Sequence, residues 1–245
     1  MNKNEFEYSC VLTSCNRFDL LEKTVVSFFK HLDIQPKAFI IIEDSGNQAI
    51  HKHLEQFDYP FTVIVNPKNL GQAKSIDIAY SHVKTPYIFH CEDDWEFIRT
   101  GFIQESLSIL QKHENASVVQ LRGRAEHIKL RDLPTLNHQG IDYFLANKST
   151  DKRYFSYGYN PSLRRLVDYQ RVAPFSKIGG ESEVSWVFKK LGFATAHLEN
   201  PAVKHIGEER HIEDSTAPKI GIKRKTRSLK NIVKRIKWFL IGFPK

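Results

Sequence analysis

The run Phe89-His90-Cys91-Glu92-Asp93-Asp94-Trp95 places three consecutive acids at the end of an apolar stretch. Crowded like charges repel, so a positive partner has to compensate them, and Mg²⁺ or Mn²⁺ bound through one or two carboxylates plus substrate phosphates would do so. An aspartate at this place could equally cap a turn or a helix. A second acidic cluster, Gly179-Gly180-Glu181-Ser182-Glu183, opens a helical pattern, where a carboxylate serves as a general base or balances the helix dipole. His205, in Ala202-Val203-Lys204-His205, is a competent metal ligand when neutral, although a lone histidine is also an ordinary polar residue. His205 and His211 lack the HExxH spacing of a zinc hydrolase. Cys10, Cys15 and Cys91 form neither an even set nor a CxxC pair, which excludes a disulfide framework and a structural zinc site and fits a reducing compartment.

These groups need elements that carry them to one place. Tyr8 to Thr13 reads as a buried strand; after the polar Ser14-Cys15-Asn16-Arg17, residues Leu21, Val25, Phe28, Phe29 and Leu32 recur at helical spacing. Ala38 to Glu43 is continuously apolar, as a parallel strand covered on both faces would be, and Asp44-Ser45-Gly46-Asn47 ends it with turn chemistry. A helix over about 47–56, a strand Phe61 to Val65, a helix over about 70–83 and a strand Tyr87 to Cys91 follow. Such alternation implies right-handed βαβ units and a parallel sheet with its site outside the carboxyl ends of the strands. Segments 14–17, 44–46 and 92–94 are therefore expected in one crevice. Asn69-Leu70-Gly71 opens a helix, either as a plain tight turn or as an anion site at the positive end of the dipole.

The second half is less regular. It predicts a helix near 101–112, a strand Ser117 to Leu121, a polar stretch 123–150, and a helix near 181–191 with Val184, Val187, Phe188 and Leu191 inward. A strand Ala194 to Leu198 follows. The aromatic run Tyr154 to Tyr159 reads as a core strand, with lining of a binding site, together with 160–164, as the alternative. Trp95 and Trp186 read as packing before stacking on a flat ligand.

The segments VLTSCNRFDLLEKTVVSF, IIIEDSG, NPKNLGQAKSIDIAY, TPYIFHCEDDWEF and GGESEVSWVFKKLGF, in that order and spanning roughly residues 8–206, resemble the family 2 glycosyltransferases. The resemblance implies the GT-A fold, an α/β single domain with a Rossmann-like, mostly parallel central sheet. It implies Thr13, Asn16, Arg17 and Asp44 as nucleotide contacts, with Gly71 and Asp93 also on the donor side. Asp94, aided by Glu92, would hold Mn²⁺ or Mg²⁺ on the donor diphosphate, with Glu at 92 where the family usually has Asp. His205 matches a late histidine that completes the metal shell or touches the diphosphate. Counting back from Gly192 places Glu181 on the general base, with Glu183 as the alternative. The implied activity is metal-dependent, inverting transfer of a sugar from a nucleoside diphosphate donor, a UDP-sugar by family frequency. The acceptor would be a hydroxyl on a glycan or lipid-linked precursor in cell-surface polysaccharide or glycolipid synthesis.

The charge distribution narrows the alternatives. The 245 residues carry a formal net charge of +8, with 41% hydrophobic and 26% charged residues, the usage of an ordinary globular chain. Residues 219–245 hold ten Lys/Arg and no acid, leaving 26 basic against 28 acidic groups in 1–218, a body of about −2. The expected division is a catalytic domain over 1–218 and a basic tail over 219–245. In the tail, Leu229, Ile232, Val233, Ile236 and Leu240 recur at helical spacing among Lys and Arg, the pattern of an amphipathic helix on an anionic membrane surface; solvated disorder, or docking on the protein's own surface, is the alternative. No signal peptide or spanning segment is legible, so the expected place is cytoplasmic and peripheral on the inner face of the cytoplasmic membrane. A nucleic-acid-binding role is disfavoured, because a body of net −2 repels phosphate backbones. A sugar-nucleotide nucleotidyltransferase would need a glycine-rich loop with a basic end after the first strand, and TSCNRFD contains no glycine.

Overall fold

The computed structural model describes residues 6–124, 130, 132–149 and 154–207. The tail over 219–245 and His211 lie outside the described residues, and the membrane contact expected of that tail with them.

The chain alternates through β1 (Tyr8–Ser14), α1 (Phe18–His31), β2 (Ala38–Glu43), α2 (Ile50–Leu54), β3 (Thr62–Val65), α3 (Gln72–Ser81) and β4 (Tyr87–Glu92). The second half runs β5 (Trp95–Phe97), α4 (Phe102–Lys112), β6 (Ala116–Gln120), β7 (Leu136–His138), β8 (Ile141–Ala146) and β9 (Ser162–Arg165). It closes with α5 (Leu166–Gln170), α6 (Phe175–Ile178), α7 (Glu181–Lys190), β10 (Ala194–Leu198) and β11 (Val203–His205). Nine strands form one sheet in the order β3-β2-β1-β4-β9-β6-β10-β8-β7. The ladders β3-β2-β1-β4 are parallel, as the strand–helix alternation predicts, and β6-β10 is parallel too. The second half departs from the simple pattern, because β9 lies antiparallel between β4 and β6, and β8 antiparallel to β10 and β7.

Alternation along the central strands feeds two cores, one on each face of the sheet. Cys10, Leu12, Phe39, Ile41, Phe89 and Leu163 meet Leu21, Val25 and Phe28 of α1 and Phe102 and Ile103 of α4. Val11, Ile40, Ile42, Ile88 and Val118 meet Ile76, Ala79 and Tyr80 of α3 and Val184, Val187 and Phe188 of α7. Burial on both faces accounts for the unbroken apolar runs of β1 and β2. The period of two also decides what reaches the crevice: with Ile88 turned toward α3 and α7, His90 and Glu92 fall on the same face.

One expectation for the second half is corrected, and a stretch to which the sequence assigned no element holds a hairpin. The aromatic run 154–159 is no strand, although Tyr154, Tyr157 and Tyr159 are buried. Its backbone partners are side chains: Ser185 Oγ accepts from Ser156 N at 3.0 Å, and Glu181 accepts from Tyr159 N. The polar stretch 123–150 contains the β7–β8 hairpin, closed by the two-residue turn Gln139-Gly140 with φ of 54° and 81°.

Candidate active site

The three predicted turns meet at the carboxyl end of the parallel strands. Ser14 Oγ and Cys15 N donate to Asp93 Oδ2 at 3.0 and 3.2 Å, and Asn16 N donates to Glu43 Oε1 at 3.0 Å. Asn16 adopts φ of 56°, a left-handed turn that asparagine tolerates, and so delivers Arg17 to the start of α1 facing the acidic turn. The Arg17 guanidinium bonds Asp93 Oδ1 through Nη2 and Asp94 Oδ2 through Nη1, the latter at 2.8 Å. The positive partner demanded by the acid triplet is therefore supplied within the chain, from 76 positions upstream of Asp93. Thr24 of α1 fixes the turn's backbone, donating to Asp93 O at 2.9 Å and accepting from Trp95 N at 3.2 Å.

Each acid of the triplet has its own surroundings. Asp93 is fully buried, and burial lifts its carboxyl to about 6 despite the pull of Arg17 in the opposite direction. Glu92 Oε1 accepts from Gln72 Nε2 at 2.6 Å and Oε2 from Trp95 Nε1 at 3.2 Å. Burial, with Asp94 and Glu181 nearby, pushes the Glu92 carboxyl up to about 8. Asp94 shares Oδ2 between Arg17 and His205 Nε2, at 2.8 and 3.3 Å, while its buried Oδ1 has no hydrogen-bond partner among the described residues. His205 arrives on β11, whose antiparallel pairing with β5 sets it opposite Trp95 with ring centroids 4.8 Å apart. Gly207 follows closely, where a Cβ would stand 2.7 Å from Asp94 Oδ2.

A cation fits these donors in part. The orphaned Asp94 oxygen and the imidazole beside it offer an oxygen and a nitrogen of the kind Mn²⁺ accepts. Among the described residues no three acidic, histidine or cysteine side chains are gathered as a complete cage, so a donor diphosphate would have to supply the remaining oxygens.

A second wall of the crevice is built around Asp44. Its Oδ1 accepts from Asn66 Nδ2 and Leu70 N, each at 2.8 Å, and its Oδ2 from Gly71 N at 2.9 Å. The anion that the start of α3 attracts is thus the chain's own carboxylate, and Asp44 and Gly71 shape this wall together. Thr13 is buried in β1, one residue before the turn, level with Ile42 and Glu92.

The second acidic cluster separates into two roles. Glu183 reaches back to Gly180 N at 3.1 Å, a capping box that closes the start of α7. Glu181 accepts from Tyr159 N through Oε1 at 2.8 Å and is close enough to Glu92 to raise that carboxyl. Burial raises Glu181 itself, opposed by the Tyr159 N–H and the guanidinium groups of Arg164 and Arg122.

Sequence reasoning missed Glu43, Thr24 and Gln72, and named Arg164 only within the 160–164 lining. The odd carboxylate before Asp44 was a signal for Glu43, whereas Thr24 and Gln72 carry none without the fold. Trp95 is core packing as expected, but its Nε1 also holds Glu92 and its ring carries Arg122 at 5.2 Å.

The model of the family described as glycosyl transferase family 2 matches residues 9–170. No curated protein sequence matches the chain. Among solved structures, S. aureus TarS superposes with a TM-score of 0.59 at 11% identity, covering 80% of this chain and 36% of TarS. Residues 1–349 of TarS in complex with UDP-GlcNAc give 0.62 at 12% identity, covering 94% and 66%. Mannosyltransferase PcManGT from Pyrobaculum calidifontis, in complex with GDP-Man and Mn²⁺, gives 0.61 at 11% identity, covering 94% and 64%. At these identities the likeness shows the fold, that of the GT-A glycosyltransferases, and the chain spans from about a third to two-thirds of the length of these proteins.

Proposed function

The chain belongs to glycosyl transferase family 2 and is a glycosyltransferase; on that premise we propose that it moves a sugar, with inversion and with a divalent cation, from a nucleoside diphosphate donor to an acceptor hydroxyl. The observation that carries the reading is Glu181: a carboxylate at the start of α7, fixed by Tyr159 N–H and facing the acidic turn.

In this reading Asp44, Gly71, Thr13, Asn16 and Arg17 form the nucleotide wall, and Arg17, which balances Asp93 and Asp94, can also turn its charge to the donor diphosphate. Asp94 and His205 would hold Mn²⁺ or Mg²⁺, with Glu92 behind them; when bound, the ion neutralises the departing nucleoside diphosphate. Glu181 takes the proton of the acceptor hydroxyl as its oxygen attacks the anomeric carbon from the face opposite the leaving group. The new C–O bond forms as the bond from that carbon to the diphosphate oxygen breaks. Burial raises the Glu181 carboxyl above its ordinary value, the direction that makes a carboxylate a stronger base. A UDP-sugar is the favoured donor, in keeping with the UDP-GlcNAc complex of TarS; PcManGT, with GDP-Man and Mn²⁺, keeps a guanine nucleotide in the test.

Among the described residues no helix is long and apolar enough to cross a membrane. Contact with an anionic membrane through 219–245, and action there on lipid-linked or cell-surface glycan precursors, rests on the tail's sequence.

Two measurements test the reading. Glu181→Gln should lower turnover by about 10²–10⁴-fold while sparing donor binding, and Glu183→Gln, which weakens a cap, should do much less. The reverse order would move the base to Glu183. Thermal unfolding with UDP-, GDP-, CDP- and dTDP-sugars should show protection that needs Mn²⁺ and disappears in Asp94→Ala. Protection by donor that survives both chelator and Asp94→Ala would remove the metal from the reading.

A further inference from the structure

Arg164 lies in the middle of the sheet, 1% exposed, at the register of Ile88 on one side and Val118 on the other, both completely buried. A charge in such surroundings is expensive unless it is paired. Among the described residues no carboxylate pairs with it. Its partners are neutral: Tyr80 OH at 3.2 Å, Tyr157 OH at 2.9 Å, the carbonyls of Gly158 and Asn160 at 3.0 and 3.3 Å, and Ser162 Oγ. Packing alone would be served as well by a methionine or leucine, so a retained guanidinium calls for a further reason.

The Gly158 carbonyl and the Tyr159 N–H belong to one peptide group. Arg164 Nη2 donates to its oxygen at 3.0 Å, and its N–H donates to Glu181 Oε1 at 2.8 Å. A cation on the oxygen polarises the amide and makes its N–H a stronger donor, so the two hydrogen bonds reinforce each other. Position 158 must be bare for this approach. A Cβ there would lie 2.6 Å from Gln120 Nε2 and 3.3 Å from Glu181 Oε1.

We propose that Arg164 is a positioning residue for Glu181, acting through the single peptide group that joins Gly158 to Tyr159. The inference rests on the reading of Glu181 as base. Arg164 holds the carbonyl, the N–H fixes Oε1, and the second carboxylate oxygen keeps the task of base. The buried cation and the anion it serves thus meet across one amide plane, without the direct ion pair that would occupy the oxygens of the base.

The test is a double-mutant cycle on the full chain, reading release of nucleoside diphosphate from UDP-GlcNAc or GDP-mannose, whichever protects against unfolding, and binding of UDP with Mn²⁺. Arg164→Met should lower turnover about 10²-fold, the effect of a misplacement of about 1 Å, and leave UDP affinity unchanged. In a Glu181→Gln background it should cost nothing further, because the residue it positions is gone. A full additional loss in that background would overturn the proposal. Tyr157→Phe and Tyr80→Phe remove two other bonds of Arg164 but spare the link to Gly158; they should lower the unfolding temperature and keep the rate. A rate loss equal to that of Arg164→Met would make the role structural and overturn it as well. If Arg164→Met does not fold, the same cycle with Arg164→Lys, which keeps the charge but not the fork, decides by the same criterion. Unchanged turnover in Glu181→Gln alone would remove the base assignment, a failure distinct from additivity in the cycle.

Discussion

Arg17 and Arg164 flank one crevice, and the fold treats their charges in opposite ways. Arg17, on the parallel half, meets two carboxylates head on, Asp93 and Asp94. Arg164, on the antiparallel strand wedged between β4 and β6, bonds hydroxyls and carbonyls among the described residues, lies over the Tyr157 ring at 4.8 Å, and reaches its carboxylate across an amide. The difference matches the tasks proposed for the two walls. A donor wall that receives a diphosphate and a cation has to exchange charge partners, so an arginine on the acids themselves holds the site together and can be given up to phosphate. An acceptor wall needs a carboxylate that stays ionised and unencumbered, and a cation one peptide away supports it without covering it.

The largest expected effect follows from breaking the direct pair. Arg17→Met leaves Asp93 fully buried with no cation beside it, and removal of one partner from such a pair costs about 3–5 kcal/mol. The loss should depend on pH. With Arg17 in place Asp93 is already lifted to about 6. Without it the carboxyl rises further, and a group whose folded value exceeds its unfolded value costs stability as pH climbs from the unfolded value through the folded one. Chemical denaturation without divalent ions should therefore show a deficit for Arg17→Met that is large at pH 8 and shrinks toward pH 5. A deficit independent of pH would mean that the guanidinium acts by packing, and the contrast with Arg164 would lose its electrostatic basis.

The same contrast marks what could be read in the sequence. The parallel half is legible because β1, β2 and β4 are apolar runs ending in polar turns, so 14–17, 44–46 and 92–94 fall at one sheet edge by topology. The need of Glu92-Asp93-Asp94 for a positive partner is also legible, but not that Arg17 meets it, since 76 positions separate the pair and only the fold closes them. The second half is opaque for local reasons. Arg164 and Arg165 give β9 the composition of a surface strand, while its central position depends on satisfying Arg164 with partners spread from Tyr80 to Ser162. Tyr154 to Tyr159 has strand composition yet bonds to Ser185 and Glu181, because its neighbours offer side chains where a ladder would offer backbone. β7, on the sheet edge, is only partly covered and carries Asn137 and His138, so no apolar alternation announces it.

A third arginine supplies the smallest effect and the control for the other two. Arg124 binds Glu199 in a forked geometry, Nε to Oε1 at 2.7 Å and Nη2 to Oε2 at 2.6 Å, with side chains 19% and 28% exposed. Solvent screens such a pair, so Glu199→Gln should cost no more than about 1 kcal/mol. Its deficit should also shrink on acidification, but in a lower pH window than that of Arg17→Met. Arg124 lowers the Glu199 carboxyl below its ordinary value, and a group depressed in the folded state contributes stability above its unfolded value and loses it as pH falls through the folded one. Wild type and Glu199→Gln should therefore differ slightly at pH 7 and converge below the usual glutamate range near 4.5, with turnover unchanged throughout. Added salt should narrow the gap at pH 7, since exposed charges are screened over about 8–10 Å near physiological ionic strength. A deficit at pH 7 as large as that of Arg17→Met would show that burial of the carboxylate, 1% exposed in Asp93 and 28% in Glu199, does not set the strength of these two pairs.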